Sequence, residues 1–318
     1  MTFSLLSVAR CIEQKIEKLC IEVIIMSWTT TNNEKKPEIA NISFEERKAK
    51  ILEQMKLRKE RDRSFLLCSI TGNPKVGKTG IALDCRTPEE IEKMMKVFVL
   101  DFDDGAEATW DAGWDRTDDI VIFNPLEMKG DGSIDWNESF NNAHAFIEMV
   151  KEETNADKNT KAFILDGVDK AYEGSSDALR EHLAKNQSKA GSIIKDTDSV
   201  SVTPLDWKIR NRIYNRLLDA FLSVNCDRFL ITHMKPLYEG ISVPVPVGEV
   251  PDWHKSTPAR FNQMIHIKKM KAGTVTNYVA ELQASKTNPD LVGKEWVVFT
   301  TNGQNKWNGI EELRTGKL

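Results

Sequence analysis

The sequence predicts an α/β fold: a mainly parallel sheet with helices on both faces, an N-terminal helical extension and a C-terminal β-hairpin. Three observations carry that expectation. From Phe65 onward, short apolar runs alternate with helical stretches, the pattern of strands joined by crossover helices. The first run leads into Gly72-Asn73-Pro74-Lys75-Val76-Gly77-Lys78-Thr79, a Gly-rich loop set between a strand and a helix. Near the end the pattern changes: Met264–Lys271 and Thr274–Ala284 flank Ala272-Gly273 and read as a hairpin.

Taken in order, residues 1–26 are apolar at Ile12, Ile16, Leu19, Ile21 and Val23–Ile25, but Arg10, Glu13, Lys15, Glu17, Lys18 and Glu22 interrupt them. No run of 18 uncharged apolar residues exists, so this segment does not span a membrane. It reads as an amphipathic helix or as a stretch upstream of a natural start at Met26; its mixed charge fits an interfacial membrane helix less well. Residues 27–41 read as a polar linker. Ser43 and Glu46 form a capping box, so a helix is expected from Phe44 to about Arg61. Residues 34–63 carry 10 Lys+Arg against 7 Asp+Glu; such a helix docks a neighbour or nucleic acid, or is simply solvated. The expected division is an N-terminal helical extension and linker over 1–63 and the α/β domain over 64–318.

Strands are expected at 65–70, Val97–Phe102, Ile120–Phe123, Ala162–Asp166, Arg228–Thr232 and Trp296–Thr300, with helices at Glu89–Met95, Asn141–Glu152 and Trp207–Leu222. Two polar or Pro-rich stretches, about 184–206 and 236–260, read as long loops of the kind that carry function. The chain has 318 residues, 40% hydrophobic and 29% charged, enough for an ordinary core. Its net charge of -4 argues against coating nucleic acid by charge alone. The five cysteines include no C-x-x-C pair, which fits a reducing, cytoplasmic setting.

The chemistry begins at the loop. G-x-x-x-x-G-K-T curls so that successive N–H groups face phosphate oxygens, and the helix N-terminus adds its partial positive charge. Gly72, Asn73, Pro74, Lys75, Val76, Gly77, Lys78, Thr79 and Gly80 are the expected nucleotide-binding residues. Lys78 reaches the β- and γ-phosphates, and the Thr79 hydroxyl is a ligand for Mg²⁺. Ala162-Phe163-Ile164-Leu165-Asp166 is an apolar strand ending in a carboxylate that would complete the Mg²⁺ shell from beside the loop. Asp169, three residues on, reads as a helix N-cap rather than a ligand. A second acidic strand end, Asp101-Phe102-Asp103-Asp104, offers a general base for the attacking water. Asp103 lies further out than Asp101 on the same face and is the candidate; a solvated acidic turn is the alternative. Thr232-His233 ends a further apolar strand where a γ-phosphate sensor would stand, with a structural histidine as the alternative.

In this order, the P-loop, the acidic strand end, the strand ending in Asp166, the Thr232-His233 strand and the hairpin resemble a RecA-like P-loop ATPase core. They are most similar to phage-type AAA domain proteins of the single-strand-annealing group. Gly72–Thr79, Val99–Gly105, Ile164–Asp166, Asp206-Trp207, Ile231–His233 and Ala284-Ser285-Lys286 carry the likeness, which spans roughly 64–310. It implies ATP and Mg²⁺, a homo-oligomer in filament or ring form, and single-stranded DNA as partner. It implies Asp103 where such proteins carry a catalytic glutamate, His233 in the sensor position, and Lys286 reaching a neighbouring subunit's γ-phosphate. Met234 stands where a sensor glutamine is usual. The two long loops would face DNA, through Lys185, Lys189 and Lys195 in the first and Trp253, His254, Lys255 and Arg260 in the second. A helicase-like replication motor and a nucleotide-gated assembly protein with little turnover are the competing readings. ATP rather than GTP follows only from the resemblance, since no N-K-x-D motif is present.

Overall fold

A computed structural model describes residues 43–59, 65–113, 117–157, 159–189, 200–240, 244–301, 310 and 313. The chain divides into two compact units, Met1–Arg63 and Ser64–Leu318. The described part of the first is one helix, α1 (Phe44–Lys59). Its capping box is formed: Glu46 N donates to Ser43 Oγ at 3.2 Å and Ser43 N to Glu46 Oε2 at 2.8 Å. The sequence readings on residues 1–42 and on a helix end at Arg61 lie outside the described residues.

The second unit runs β1 (Leu67–Gly72), α2 (Lys78–Leu83), α3 (Pro88–Glu92), β2 (Lys96–Asp101), α4 (Ala106–Gly113), β3 (Ile120–Phe123), α5 (Trp136–Asp157), β4 (Thr160–Asp166) and α6 (Val168–Lys189). It continues with α7 (Asp206–Leu222), β5 (Asp227–Glu239), β6 (Val245–Pro251), β7 (Gln263–Ala272), β8 (Val275–Ser285) and β9 (Glu295–Thr300). The sheet order is β3-β2-β4-β5-β1-β7-β8-β9, with β6 paired to β5 alone. Strands β1 to β5 and β7 are mutually parallel; β8 and β9 close the sheet antiparallel, the expected hairpin. This is the fold class read from the sequence.

Alternation along the buried strands sends side chains into two cores, one on each face. Val97, Val99, Ala162, Ile164, Phe229 and Ile231 meet Ile81 and Leu83 of α2 and Trp110 of α4. Phe98, Leu100, Phe163, Leu165 and Leu230 meet Phe140 and Ile147 of α5, Ala171 and Ala178 of α6, and Leu217 and Phe221 of α7. Helices therefore cover both faces.

Several sequence expectations are corrected. The stretch from 184 is not loop at its start: α6 continues to Lys189, because Leu179 and Ala184 still bury against the core. The stretch over 236–260 is largely a ribbon: β5 runs on to Glu239 and pairs antiparallel with β6. Pro236 is tolerated there because it sits in an edge ribbon. In the sheet β5 is inserted between β4 and β1, and the carboxyl end of β4 still lies beside the loop, as expected. The expected helices over 89–95 and 141–152 also shift, to α3 with its Thr87–Glu90 capping box and to the longer α5.

Candidate nucleotide site

All the parallel strands leave their carboxyl ends on one edge, where ligands of such sheets bind. The tips of β1, β4, β5 and the turn after β2 meet there. Gly77 adopts φ 89°, a left-handed conformation that ends the loop and opens α2, as a glycine allows without strain. Lys75 (φ 61°) and Asp104 (φ 57°) also take the left-handed region, which a non-glycine residue enters only when its surroundings hold it there.

Lys78 is buried, 5% exposed, and its Nζ donates to the carbonyls of Gly72 at 3.1 Å and Asn73 at 3.0 Å. Burial holds its ammonium below the ordinary lysine range, against the pull of Asp166, Asp169 and Asp103. The Thr79 hydroxyl donates to Asp166 Oδ2 at 2.6 Å. Thus the loop and the tip of β4 touch across the end of the intervening strand. Asp166 is buried, and burial pushes its carboxyl up to about 7, reinforced by Asp101 and Asp103 and opposed by Thr79 and Lys78.

This donor set suits Mg²⁺. An alcohol oxygen and a buried carboxylate are hard oxygen ligands. A carboxyl that prefers to stay protonated when buried becomes an anion again once a divalent cation is beside it. The chain supplies few such ligands, which matches an ion held largely by phosphates and water.

The acidic turn divides its labour differently from the sequence reading. Asp101 does not share a ligand face with Asp103. Its Oδ1 accepts from Asp103 N at 2.9 Å and its Oδ2 from Ala106 N at 2.8 Å, so it shapes the turn and starts α4. Asp103 reaches outward, with Oδ1 3.3 Å from Lys170 Nζ and Oδ2 3.7 Å from His233 Nε2. Gly167 permits this closeness: it has φ 76°, and a Cβ there would stand 2.9 Å from the Asp103 nitrogen.

Asp169 is not an N-cap. It lies in the first turn of α6, and its carboxylate binds His233 through Nδ1 (3.0 Å) and the main-chain nitrogen (3.3 Å). Burial pushes the Asp169 carboxyl up, but the bonds and charge of His233 bring it below its usual value. The sequence held no local signal for this pair, 64 residues apart. Another contact missed by sequence reasoning is Asn73 Nδ2 donating to Glu249 Oε2 at 3.2 Å, which brings β6 over the loop.

Lys286 is not part of this cluster. Its nitrogen donates to Asn262 O at 2.7 Å, and Asn262 N to Leu67 O at 3.0 Å. That places it at the start of β1, on the opposite edge of the sheet. At about 3.3 Å per strand residue, a strand's length separates it from its own P-loop.

Of the expected DNA-facing residues, Trp253 is 7% exposed and packs into the core, so it cannot stack on a base. Arg260 is tied to α7 through Asp219 at 2.5 Å and Asn215 at 3.0 Å. Lys185, His254 and Lys255 are at least partly exposed. Lys195 and the Lys189 side chain lie outside the described residues. A different aromatic group is present nearby: the Arg210 guanidinium lies 4.7 Å from the Tyr172 ring and 4.6 Å from the Trp207 ring, and Tyr172 meets His254 edge-on. Among the described residues no helix is long and apolar enough to cross a membrane.

No protein-family model matches the chain, and no curated protein sequence does. Among solved structures, the KaiC-like protein PH0186 from the hyperthermophilic archaeon Pyrococcus horikoshii OT3 is similar over 75% of this chain and 87% of that one, at 12% identity and a TM-score of 0.40. A likeness so remote carries no argument, and the reading of the site rests on its own geometry.

Proposed function

We propose that this chain binds ATP with Mg²⁺ at the loop Gly72–Thr79 and hydrolyses it, as a RecA-like ATPase working on single-stranded DNA in a homo-oligomer. One observation carries the nucleotide reading: the Thr79 hydroxyl and Asp166 carboxylate in contact at 2.6 Å, beside a buried lysine amine that donates to the loop carbonyls of Gly72 and Asn73. Charged groups stand near both, but among the described residues neither makes a direct ion pair, and burying an ammonium and a carboxyl in that state is costly for the fold alone. A triphosphate and a divalent cation supply both missing partners.

Lys78 exchanges its carbonyl contacts for phosphate oxygens, and the loop N–H groups orient the phosphate chain. When bound, Mg²⁺ would neutralise charge on the β- and γ-phosphates, with Thr79 and Asp166 holding it. Asp103 takes the proton of the attacking water, the role its outward carboxylate permits. With both ring nitrogens protonated, His233 donates to the γ-phosphate through Nε2 and stabilises the charge that develops there.

The nucleic-acid part draws support from Trp207, an exposed ring with the Arg210 guanidinium over it, since an exposed ring beside a cation is a place where bases stack without sequence preference. A second reading has a specific observation in its favour. Asp103 is already engaged by Lys170 and lies near His233, as expected of an assembly protein that binds ATP and turns it over slowly.

Phosphate release from ATP with Mg²⁺, with and without single-stranded DNA, separates the two. DNA-stimulated release that is lost in Lys78→Ala supports the ATPase acting on DNA. ATP binding with negligible release in either condition moves the conclusion to the assembly protein.

A further inference from the structure

We infer that Asp169 is the positioning residue of His233, holding its ring so that Nε2, and not Nδ1, faces the acidic turn where the γ-phosphate would lie. The inference rests on the nucleotide-hydrolysing reading given above. Three contacts from one carboxylate converge where β5 leaves the parallel sheet for its ribbon with β6: Oδ2 with His233 Nδ1 at 3.0 Å, and Oδ1 with His233 N at 3.3 Å and Thr232 Oγ1 at 3.5 Å. A carboxylate that spans the main-chain nitrogen and the ring nitrogen of one residue leaves that side chain little rotational freedom.

The backbone is held from the other side as well. Asp252 N donates to His233 O at 2.9 Å, and Thr232 Oγ1 donates to Asp252 O at 2.8 Å. An ionised carboxylate only accepts, so the Nδ1 that faces Asp169 must carry its proton. The ring nitrogen left for chemistry is Nε2.

That nitrogen stands 3.7 Å from Asp103 Oδ2, too far for a direct hydrogen bond and close enough for both groups to touch one inserted oxygen. Asp103 follows β2, Asp169 follows β4 and His233 sits on β5, with β4 between the other two strands. Adjacent strand ends therefore assemble the trio. Asp169 acts through the ring it holds, as orienting carboxylates do for catalytic histidines.

The test is ¹⁵N NMR of ring nitrogens in histidine-labelled full-length chain without nucleotide, with His233 assigned from the His233→Ala spectrum. Wild type should show a protonated Nδ1 at His233. Asp169→Asn, nearly isosteric, and Asp169→Ala should both move proton density towards Nε2, and Asp169→Glu should restore part of the wild-type signature. In parallel, ATP affinity should stay within about twofold while turnover falls roughly tenfold or more. Adding Asp169→Ala to His233→Ala should cost no further turnover, since the first acts through the second. An unchanged His233 signature in Asp169→Asn, with an intact thermal melt, overturns the inference whatever the turnover. Multiplicative losses in the double variant overturn it too. If wild type hydrolyses no ATP, the ATPase reading fails, and the ring signature still decides whether Asp169 positions His233.

Discussion

The two edges of the parallel sheet both bury charge, and they handle it in opposite ways. At the amino edge, Lys161 near the start of β4 is 2% exposed and pairs with Glu90 at 2.7 Å and Asp227 at 3.5 Å. Asp227 in turn accepts from Leu66 N at 2.8 Å. Arg86 pairs with Asp119 there, both buried, and donates to Met95 O. At the carboxyl edge, Lys78 and Asp166 are equally buried, yet their direct hydrogen-bond partners are neutral, two carbonyls and a hydroxyl. Paired buried charge is complete and keeps elements in register. Buried charge left with neutral partners is a binding site in waiting.

The sharpest way to break this contrast is at the amino edge. Lys161→Ala should destabilise the protein by about 3–5 kcal/mol, because it removes a buried cation from beside the buried Asp227 and the half-buried Glu90; denaturant melts measure it. The matching change at the carboxyl edge should do the reverse. Lys78→Ala should leave the melt unchanged or raise it, while weakening ATP binding by roughly 10- to 100-fold, read by titration with a fluorescent nucleotide. Retained affinity would mean that the loop is not the site.

The next effect is one of pH. The Asp166 carboxyl has an ordinary value of 3.8 and is pushed up to about 7 in the fold, so the folded state holds a proton that the unfolded state has lost. Its stability contribution is full below about 4, falls as pH rises through 7, and is level beyond. Asp166→Asn should flatten that part of the curve, so the difference between wild-type and variant melts should grow in the variant's favour between pH 4 and 7. In wild type, the stabilisation by Mg²⁺ and nucleotide should increase from pH 6 to 8, because the carboxyl must lose its proton to bind a cation. A pH-independent difference would put Asp166 outside the metal site.

The smallest effect concerns Lys286. It is exposed and on the far edge, so Lys286→Ala should change stability by no more than about 0.5 kcal/mol and leave ATP affinity alone. If the residue serves a neighbouring subunit, turnover should fall only at protein concentrations where wild type assembles. An equal loss at every concentration would remove it from that role.

Much was legible in the sequence because its signals are local. The P-loop is eight consecutive residues with a strand before and a helix after, and the need for tight turns at Gly72 and Gly77 is written into those letters. The apolar runs ending in Asp101, Asp166 and Thr232 announced parallel strands, since a strand buried on both faces needs an unbroken apolar run. The hairpin from Met264 to Ala284 was visible for the same reason, in strand-forming runs joined at a glycine.

What the sequence could not decide depends on which distant groups meet. Asp169 carried every mark of a helix-starting residue, and only the placement of β5 beside β4 turned its carboxylate to His233. Trp253 read as a base-stacking residue, yet folding of the ribbon behind it sent its ring into the core. Asp101 and Asp103 read as sharing one face with Asp103 further out, and only the fold showed backbone nitrogens of the turn claiming the first and leaving the second facing outward. Local sequence determined that a phosphate-binding loop and a parallel sheet would form. The tertiary structure chose which carboxylates shape the site and which remain for chemistry, because a buried polar group's partner is set by packing rather than by its neighbours in the chain.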